Sequence, residues 1–131
     1  MTNQALHRIL LVEDEADIQT VAQLALESVG GFTVEVCSSG YEAIDRAPGF
    51  APDLILLDVM MPRLDGPATL KALRQLPQTA VTPVVFITAK VQPHEIERFK
   101  EMGAMDVIAK PFDPMTLSAT VSNIWQTHCY G

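Results

Sequence analysis

Four apolar runs in this chain end on residues that can do chemistry. Ile9 to Val12 lead into Glu13 and Asp14, Leu54 to Leu57 into Asp58, Val84 to Ile87 into Thr88, and "DVIA" at 106–109 into Lys110. None of these is the small turn residue that an ordinary loop prefers. Two like charges about 4 Å apart cost on the order of 4 kcal/mol at an effective dielectric near 20. A bound divalent cation removes that cost. A few carboxylates with a backbone carbonyl and several waters describe a Mg²⁺ site better than a Ca²⁺ cage, and Mn²⁺ is the natural substitute. Lys110 adds a positive charge and Thr88 a hydroxyl donor, the tools for holding a tetrahedral dianion against Asp58. A carboxylate nucleophile, a metal and two phosphoryl-oxygen donors are the equipment for making an aspartyl phosphate.

These residues meet only if the elements carrying them are arranged in one way. Short apolar runs alternate with helical patterns along the whole chain. Ile9 to Val12 form a first strand, followed by Ile18, Val21, Ala22, Ala25 and Val29 at helical spacing and a Gly30-Gly31 stop. "FTVEVC" alternates with period two, the mark of a half-exposed strand near a sheet edge. A short helix over roughly Tyr41 to Ala47 is expected to end at Pro48-Gly49, and Leu54 to Leu57 form the third strand. A helix starts near Gly66 with Pro67 in its first turn, and Val84 to Ile87 form the fourth strand. A helix from about Pro93 to Met102 stops at Gly103, "DVIAK" is a short fifth strand, and a last helix is expected from Pro114 to Gln126.

Strand–helix alternation repeated five times predicts an α/β fold, a doubly wound five-stranded parallel sheet with helices on both faces. The alternating second strand belongs at an edge, which gives the flavodoxin-like order 2-1-3-4-5. In that order strands one and three are neighbours, and Asp14 and Asp58 face each other at the switch point where such sheets bind ligands.

Length and charge narrow the function. A chain of 131 residues suits one domain, expected over 1–131 with its core at about 7–127. Nine Lys plus Arg against sixteen Asp plus Glu give a net charge of −7, which argues against direct nucleic-acid binding or an anionic membrane surface. A protein partner or a cation fits better. Cys37 and Cys129 lie far apart, "MTNQALHRIL" is no signal peptide, and no apolar run is long enough to span a bilayer. Free thiols and a cytoplasmic location are therefore expected. His7, His94 and His128 share no metal-ligand spacing, and the "HC" pair at 128–129 reads as a frayed terminal tail. Met60, Met61, Met102, Met105 and Met115 read as core or turn filler, and Trp125 and Phe99 as packing residues.

"LLVEDE", "LILLDVMMPRLDG", "VVFITA" and "GAMDVIAKPF", in this order and at this spacing, resemble the receiver domain of two-component response regulators over essentially the whole chain. The resemblance implies that Asp58 accepts a phosphoryl group from a sensor histidine kinase or a histidine phosphotransfer protein. It implies that Asp14 binds Mg²⁺ directly, that Glu13 acts mainly through a metal-bound water, and that the Met60 carbonyl completes the protein's ligands. Thr88 and Lys110 would each hold a phosphoryl oxygen, the Lys110–Pro111 bond would be cis, Asp65 and Gly66 would shape the turn, and Ala89 would leave room for the phosphate. The surface built from 93–103, 106–110 and 114–126 would dock a downstream protein. One departure stands out: three residues before the lysine, where the family usually has Tyr or Phe, this chain has Val107, a stiff β-branched residue with no ring to relocate.

Other functions fit less well. An aspartyl-phosphate hydrolase of the haloacid dehalogenase kind wants an Asp two residues after the nucleophile, where Met60 stands. A flavin or nucleotide module needs a glycine-rich turn after the first strand, and "EDEAD" puts acid there. A degenerate receiver that binds partners without phosphorylation would not need the intact acidic set. Too few residues follow the last helix for an effector domain, so the output expected is a protein contact or onward phosphotransfer.

Overall fold

The computed structural model describes residues 5–130; residues 1–4 and 131 of the domain expected over 1–131, and with them the start of "MTNQALHRIL", lie outside the described residues. The strands are β1 (Arg8–Val12), β2 (Thr33–Cys37), β3 (Leu54–Asp58), β4 (Val84–Thr88) and β5 (Asp106–Ala109). They alternate with α1 (Ala16–Leu24), α2 (Gly40–Phe50), α3 (Gly66–Arg74), α4 (Pro93–Glu101) and α5 (Leu117–Trp125). All four pairings are parallel and the order is β2-β1-β3-β4-β5, as the alternation predicts.

Each central strand is buried on both faces, which is why its sequence is apolar without alternation. Odd and even residues feed two separate cores. Leu10, Val12, Ile55, Leu57, Val84 and Phe86 pack against Ala43 and Ala47 of α2, Leu70 and Leu73 of α3, and Phe99 of α4. Ile9, Leu11, Leu54, Leu56, Val85 and Ile87 pack against Ala22 of α1 and Leu117, Val121 and Trp125 of α5. Each fully buried Leu or Ile contributes about 1.5–3 kcal/mol relative to an exposed one. Phe99 closes edge-on against Phe86, with ring centroids 5.2 Å apart, and Trp125 is buried, so both are packing residues.

Several local expectations give way, one to a tertiary contact and others to local turns. Helix α2 runs through Pro48 and Gly49 to Phe50 and ends at Ala51, whose φ of 54° is left-handed. Proline forfeits only its own N–H so close to the end, and the last turn is anchored from outside. The Arg8 Nε and Nη2 donate to the Phe50 carbonyl at 2.9 and 2.5 Å, and the guanidinium lies 4.2 Å from the Phe50 ring centroid. Helix α1 turns Ala22 inward and leaves Val21 exposed; the π-helical turn that follows, Ala25–Val29, buries Ala25 and Leu26. Its Gly30 N–H reaches back to the Ala25 carbonyl, a wider turn that carries Val29 off the inward stripe. Helix α5 starts at Leu117, not Pro114, because the Asp113 side chain accepts from the Met115 N–H at 2.9 Å and its carbonyl from Thr116 at 3.1 Å, folding 113–116 as a turn.

The pair at 128–129 is no frayed tail. Gln126–Tyr130 continues α5 as a π-helical turn, Cys129 is buried against the second core, and His128 Nε2 lies 3.5 Å from Asp106 Oδ2. Both cysteines are free and buried; burial pushes the Cys37 thiol up to about 12 and raises Cys129 as well. Met61 is buried in the first core and Met105 packs against the second, while Met60, Met102 and Met115 are exposed in loops and turns, so core and turn positions are both used. No helix among the described residues is long and apolar enough to cross a membrane.

One glycine is required by packing against the strand end that carries Asp58. A Cβ on Gly66 would stand 2.6 Å from the Asp58 carbonyl oxygen and 2.8 Å from Val59 Cα, both backbone atoms that cannot swing aside. Gly66→Ala should therefore lower stability by about 1–3 kcal/mol, the usual cost of overpacking, read as a lower urea midpoint. An unchanged midpoint would mean that the β3 end is softer than its packing implies.

Candidate functional site

The site lies at the carboxyl edge of the sheet, where the order brings β1 and β3 together. Val12 pairs with Leu57, so Glu13 and Asp58 leave neighbouring strands level with each other. Asp58 pairs with Ile87, which puts Thr88 one step beyond, and Thr88 pairs with Ala109, which does the same for Lys110. The cis Lys110–Pro111 bond is present, and the Lys110 N–H donates to the Thr88 carbonyl at 2.8 Å.

Glu13, Asp14, Asp58, Thr88 and Lys110 are thus gathered as expected. One carboxylate oxygen from each of Glu13, Asp14 and Asp58 lies within 4.8 Å of the others, the one such grouping of metal-ligating side chains among the described residues. Glu13 and Asp58 are only 1% and 2% exposed, and Asp14 is the most open of the three. Lys110 Nζ bridges the two buried acids, 2.9 Å from Glu13 Oε1 and 3.3 Å from Asp58 Oδ1. The Glu15 N–H donates to the other Glu13 oxygen at 3.1 Å, and the Met60 N–H makes a long bond of 3.4 Å to Asp58 Oδ1. Thr88 Oγ1 accepts from the Lys90 N–H at 3.0 Å, which leaves its own proton to give away.

The charges do not balance. Burial, together with the Glu13 carboxylate, pushes the Asp58 carboxyl up to about 7, against a pull downward from Lys110 and the Met60 N–H. Burial alone would lower the Lys110 ammonium, but its hydrogen bond to Glu13 and the charge of Asp58 outweigh that and raise it. Two buried acids and a third beside them share one cation. That surplus of negative charge, with oxygens converging from three side chains, fits a hard divalent cation.

The surroundings hold the site in place. Asp65 caps α3 by accepting from the Ala68 N–H at 2.9 Å, and the Gly66 N–H donates to the Val59 carbonyl at 2.9 Å, closing the turn after Asp58. Ala89 is exposed and, with Ile18, Val21, Lys110, Pro111 and Phe112, lines an open cavity of about 390 Å³ beside Lys110. Val107 is half-buried, packs on the first core and pairs with Phe86. Gln19 is not singled out by residue type or motif, yet its amide donates to the Glu13 carbonyl at the mouth of the site. A polar side chain placed one turn into the helix after an acidic strand end is the only trace of it in the sequence.

A family model for the response regulator receiver domain matches residues 9–122. The chain belongs to that family. The receiver domain is 42% identical over 117 residues to the alkaline phosphatase synthesis transcriptional regulatory protein PhoP of Bacillus subtilis, an alignment covering 89% of this chain and 48% of that protein. It is 40% identical to the transcriptional regulatory protein CpxR of Escherichia coli K12, covering 91% of this chain and 49% of that one. The chain thus spans about half the length of these curated relatives. Among solved structures, the chemotaxis protein CheY4 of Vibrio cholerae superposes with a TM-score of 0.83 at 32% identity, covering 92% of this receiver domain and 99% of that chain. The receiver domain of the sensor histidine kinase PA1611 of Pseudomonas aeruginosa PAO1 superposes with a TM-score of 0.78 at 32% identity, covering 94% and 97%; that structure has a magnesium ion coordinated in its active-site cleft.

The raised Asp58 carboxyl has a consequence for stability. An acid held near 7 in the folded receiver domain and near 3.8 when unfolded is stabilising when protonated, and that stability is lost as pH rises from about 4 through 7. In chelator, Asp58→Asn, which cannot ionise, should match wild type near pH 4 and exceed it at pH 8 by on the order of 2–4 kcal/mol, at about 1.4 kcal/mol per unit. Denaturant unfolding at several pH values measures the gap. A gap independent of pH would contradict the electrostatics described.

Proposed function

We propose that this receiver domain is a phosphorylation-controlled signalling switch in which Asp58 accepts a phosphoryl group from a sensor histidine kinase or a histidine phosphotransfer protein in a Mg²⁺-dependent step. The observation that carries this is the Lys110 ammonium set between Glu13 and Asp58 while three carboxylate oxygens converge within 4.8 Å. Asp14 and Asp58 would hold the metal directly, with the Met60 carbonyl, and Glu13 mainly through water. Mg²⁺ would neutralise the surplus carboxylate charge and that of the incoming phosphoryl oxygens.

In the transfer, the phosphorus–nitrogen bond of a phosphohistidine breaks as an Asp58 oxygen bonds to phosphorus, so Asp58 must be ionised and aimed outward. The rigid end of β3 aims it. Lys110 would then trade its contact with Asp58 for one with a phosphoryl oxygen, and Thr88 would donate its free hydroxyl proton to another. The apolar cavity beside Lys110 offers a seat for the partner that delivers the group. No enzymatic turnover of a free substrate is needed, only self-catalysed gain and loss of the phosphoryl group. The exposed Met60 two residues after Asp58 leaves a hydrolase without its second acid.

The output would be a protein contact or onward phosphotransfer in the cytoplasm, with a downstream protein docking on 93–103, 106–110 and 114–126 and no direct nucleic-acid contact by this domain. Val107 has no ring to move, so the response would run through the loop after Thr88, whose hydroxyl already receives the Lys90 N–H, to the start of α4.

Intact mass after exposure to acetyl phosphate tests the proposal. Wild type should gain one phosphoryl group with Mg²⁺ and none in chelator, and Asp58→Asn should gain none. Lys110→Ala should slow the gain by about a hundred-fold, the usual cost of losing one charge-stabilising donor. No Mg²⁺-dependent gain on wild type would refute the proposal.

A further inference from the structure

Gln19 sits in the early part of α1, half-buried and outside both cores. Its Nε2 donates to the Glu13 main-chain carbonyl at 2.5 Å and to Ser38 Oγ at 3.0 Å. A carbonyl can only accept, so the amide must present its nitrogen, and both N–H groups are used. Ser38 belongs to the turn between β2 and α2, which is fastened in its own right. The Ser38 N–H donates to Glu42 Oε1 at 2.9 Å, and Ser39 Oγ accepts from the Glu42 N–H at 3.0 Å, close to the reciprocal pattern of a capping box. The Glu13 N–H also donates to the Cys37 carbonyl at 3.0 Å. One side chain therefore ties the loop after β1 to the braced turn after β2.

The tie falls on a particular peptide. The Glu13 carbonyl and the Asp14 N–H share one planar unit, so holding the oxygen sets the plane from which Asp14 departs. The carboxylates of Glu13 and Asp58 are each held by Lys110 and by a backbone N–H. Among the described residues the Asp14 carboxylate has no such partner, so its aim depends on its backbone. We propose that Gln19 is a positioning residue for the acidic site: it holds the Glu13–Asp14 peptide against the β2–α2 turn and so presents Asp14 to a divalent cation. This rests on the Mg²⁺ site proposed above.

Gln19→Met keeps the length and helix preference of the side chain and removes both donors. Ser38→Ala removes only the far anchor. Calorimetric titration with Mg²⁺ should show Gln19→Met weakening affinity by about three- to ten-fold and Ser38→Ala by about two-fold, since groups behind a metal ligand tune its grip. The double variant should be no weaker than Gln19→Met, because the two act through one tie. The melting temperature in chelator should barely move. An affinity of Gln19→Met equal to wild type, whatever its melting temperature, would overturn the role and leave a purely structural tie. Should Gln19→Met not fold, Ser38→Ala decides alone, with unchanged affinity overturning the inference. Failure of wild type to bind Mg²⁺ would instead remove the metal site and this inference together.

Discussion

One ammonium shared between two buried carboxylates is the contact around which the rest is built. Lys110 Nζ reaches Glu13 at 2.9 Å and Asp58 at 3.3 Å, and without it two acids with almost no exposure would face each other unscreened. With it, the site is held together but still carries surplus negative charge. That surplus makes Asp58 receptive both to a proton and to a cation. A phosphoryl group on Asp58 would replace one side of the Lys110 bridge with a new acceptor for the same ammonium. The same contact thus holds the resting state and is available to the modified one.

The sheet explains why so strained an arrangement persists. Leu54 to Leu57 bury completely, alternating between two cores, and drive the strand to its last residue, Asp58. The register sets Glu13, Asp58, Thr88 and Lys110 at the ends of adjacent strands, so the helices behind them fix a charge cluster that no local sequence would choose. Gly66 and the Asp65 cap close the turn so tightly against Asp58 that a single added carbon has nowhere to go. Loops do the finer aiming: the Glu13 loop leans on the β2–α2 turn through Gln19.

Strand order and the gathering of Glu13, Asp14, Asp58, Thr88 and Lys110 at one sheet edge were legible because both follow from long apolar runs that end in polar groups. The departures come from contacts that residue type and spacing do not reveal, some between distant segments and some within a single turn. Pro48-Gly49 reads as a stop, but Arg8, forty residues earlier, grips the Phe50 carbonyl and ring and carries α2 past it. The helical spacing of Val29 suggests an inward face from which the π-helical turn at Ala25–Val29 carries it away. Pro114 reads as a helix start, but Asp113 folds a turn there and the helix begins at Leu117. His128 and Cys129 read as a terminal tail, yet the approach of His128 to Asp106 and the burial of Cys129 in the second core hold them. Gln19 carries no signal in the sequence because an amide on a helix makes no motif; only the folded loops give it its two acceptors.

The central claim is that burial and the neighbouring Glu13 carboxylate keep Asp58 from ionising freely until a cation arrives. Isotope-edited NMR of the Asp58 carboxyl carbon across pH, with and without saturating Mg²⁺, measures this directly. A titration near 7 in chelator, where burial and Glu13 hold it, and a midpoint displaced well downward by Mg²⁺ are the results expected. A midpoint near the ordinary carboxylate value in both conditions would contradict the account.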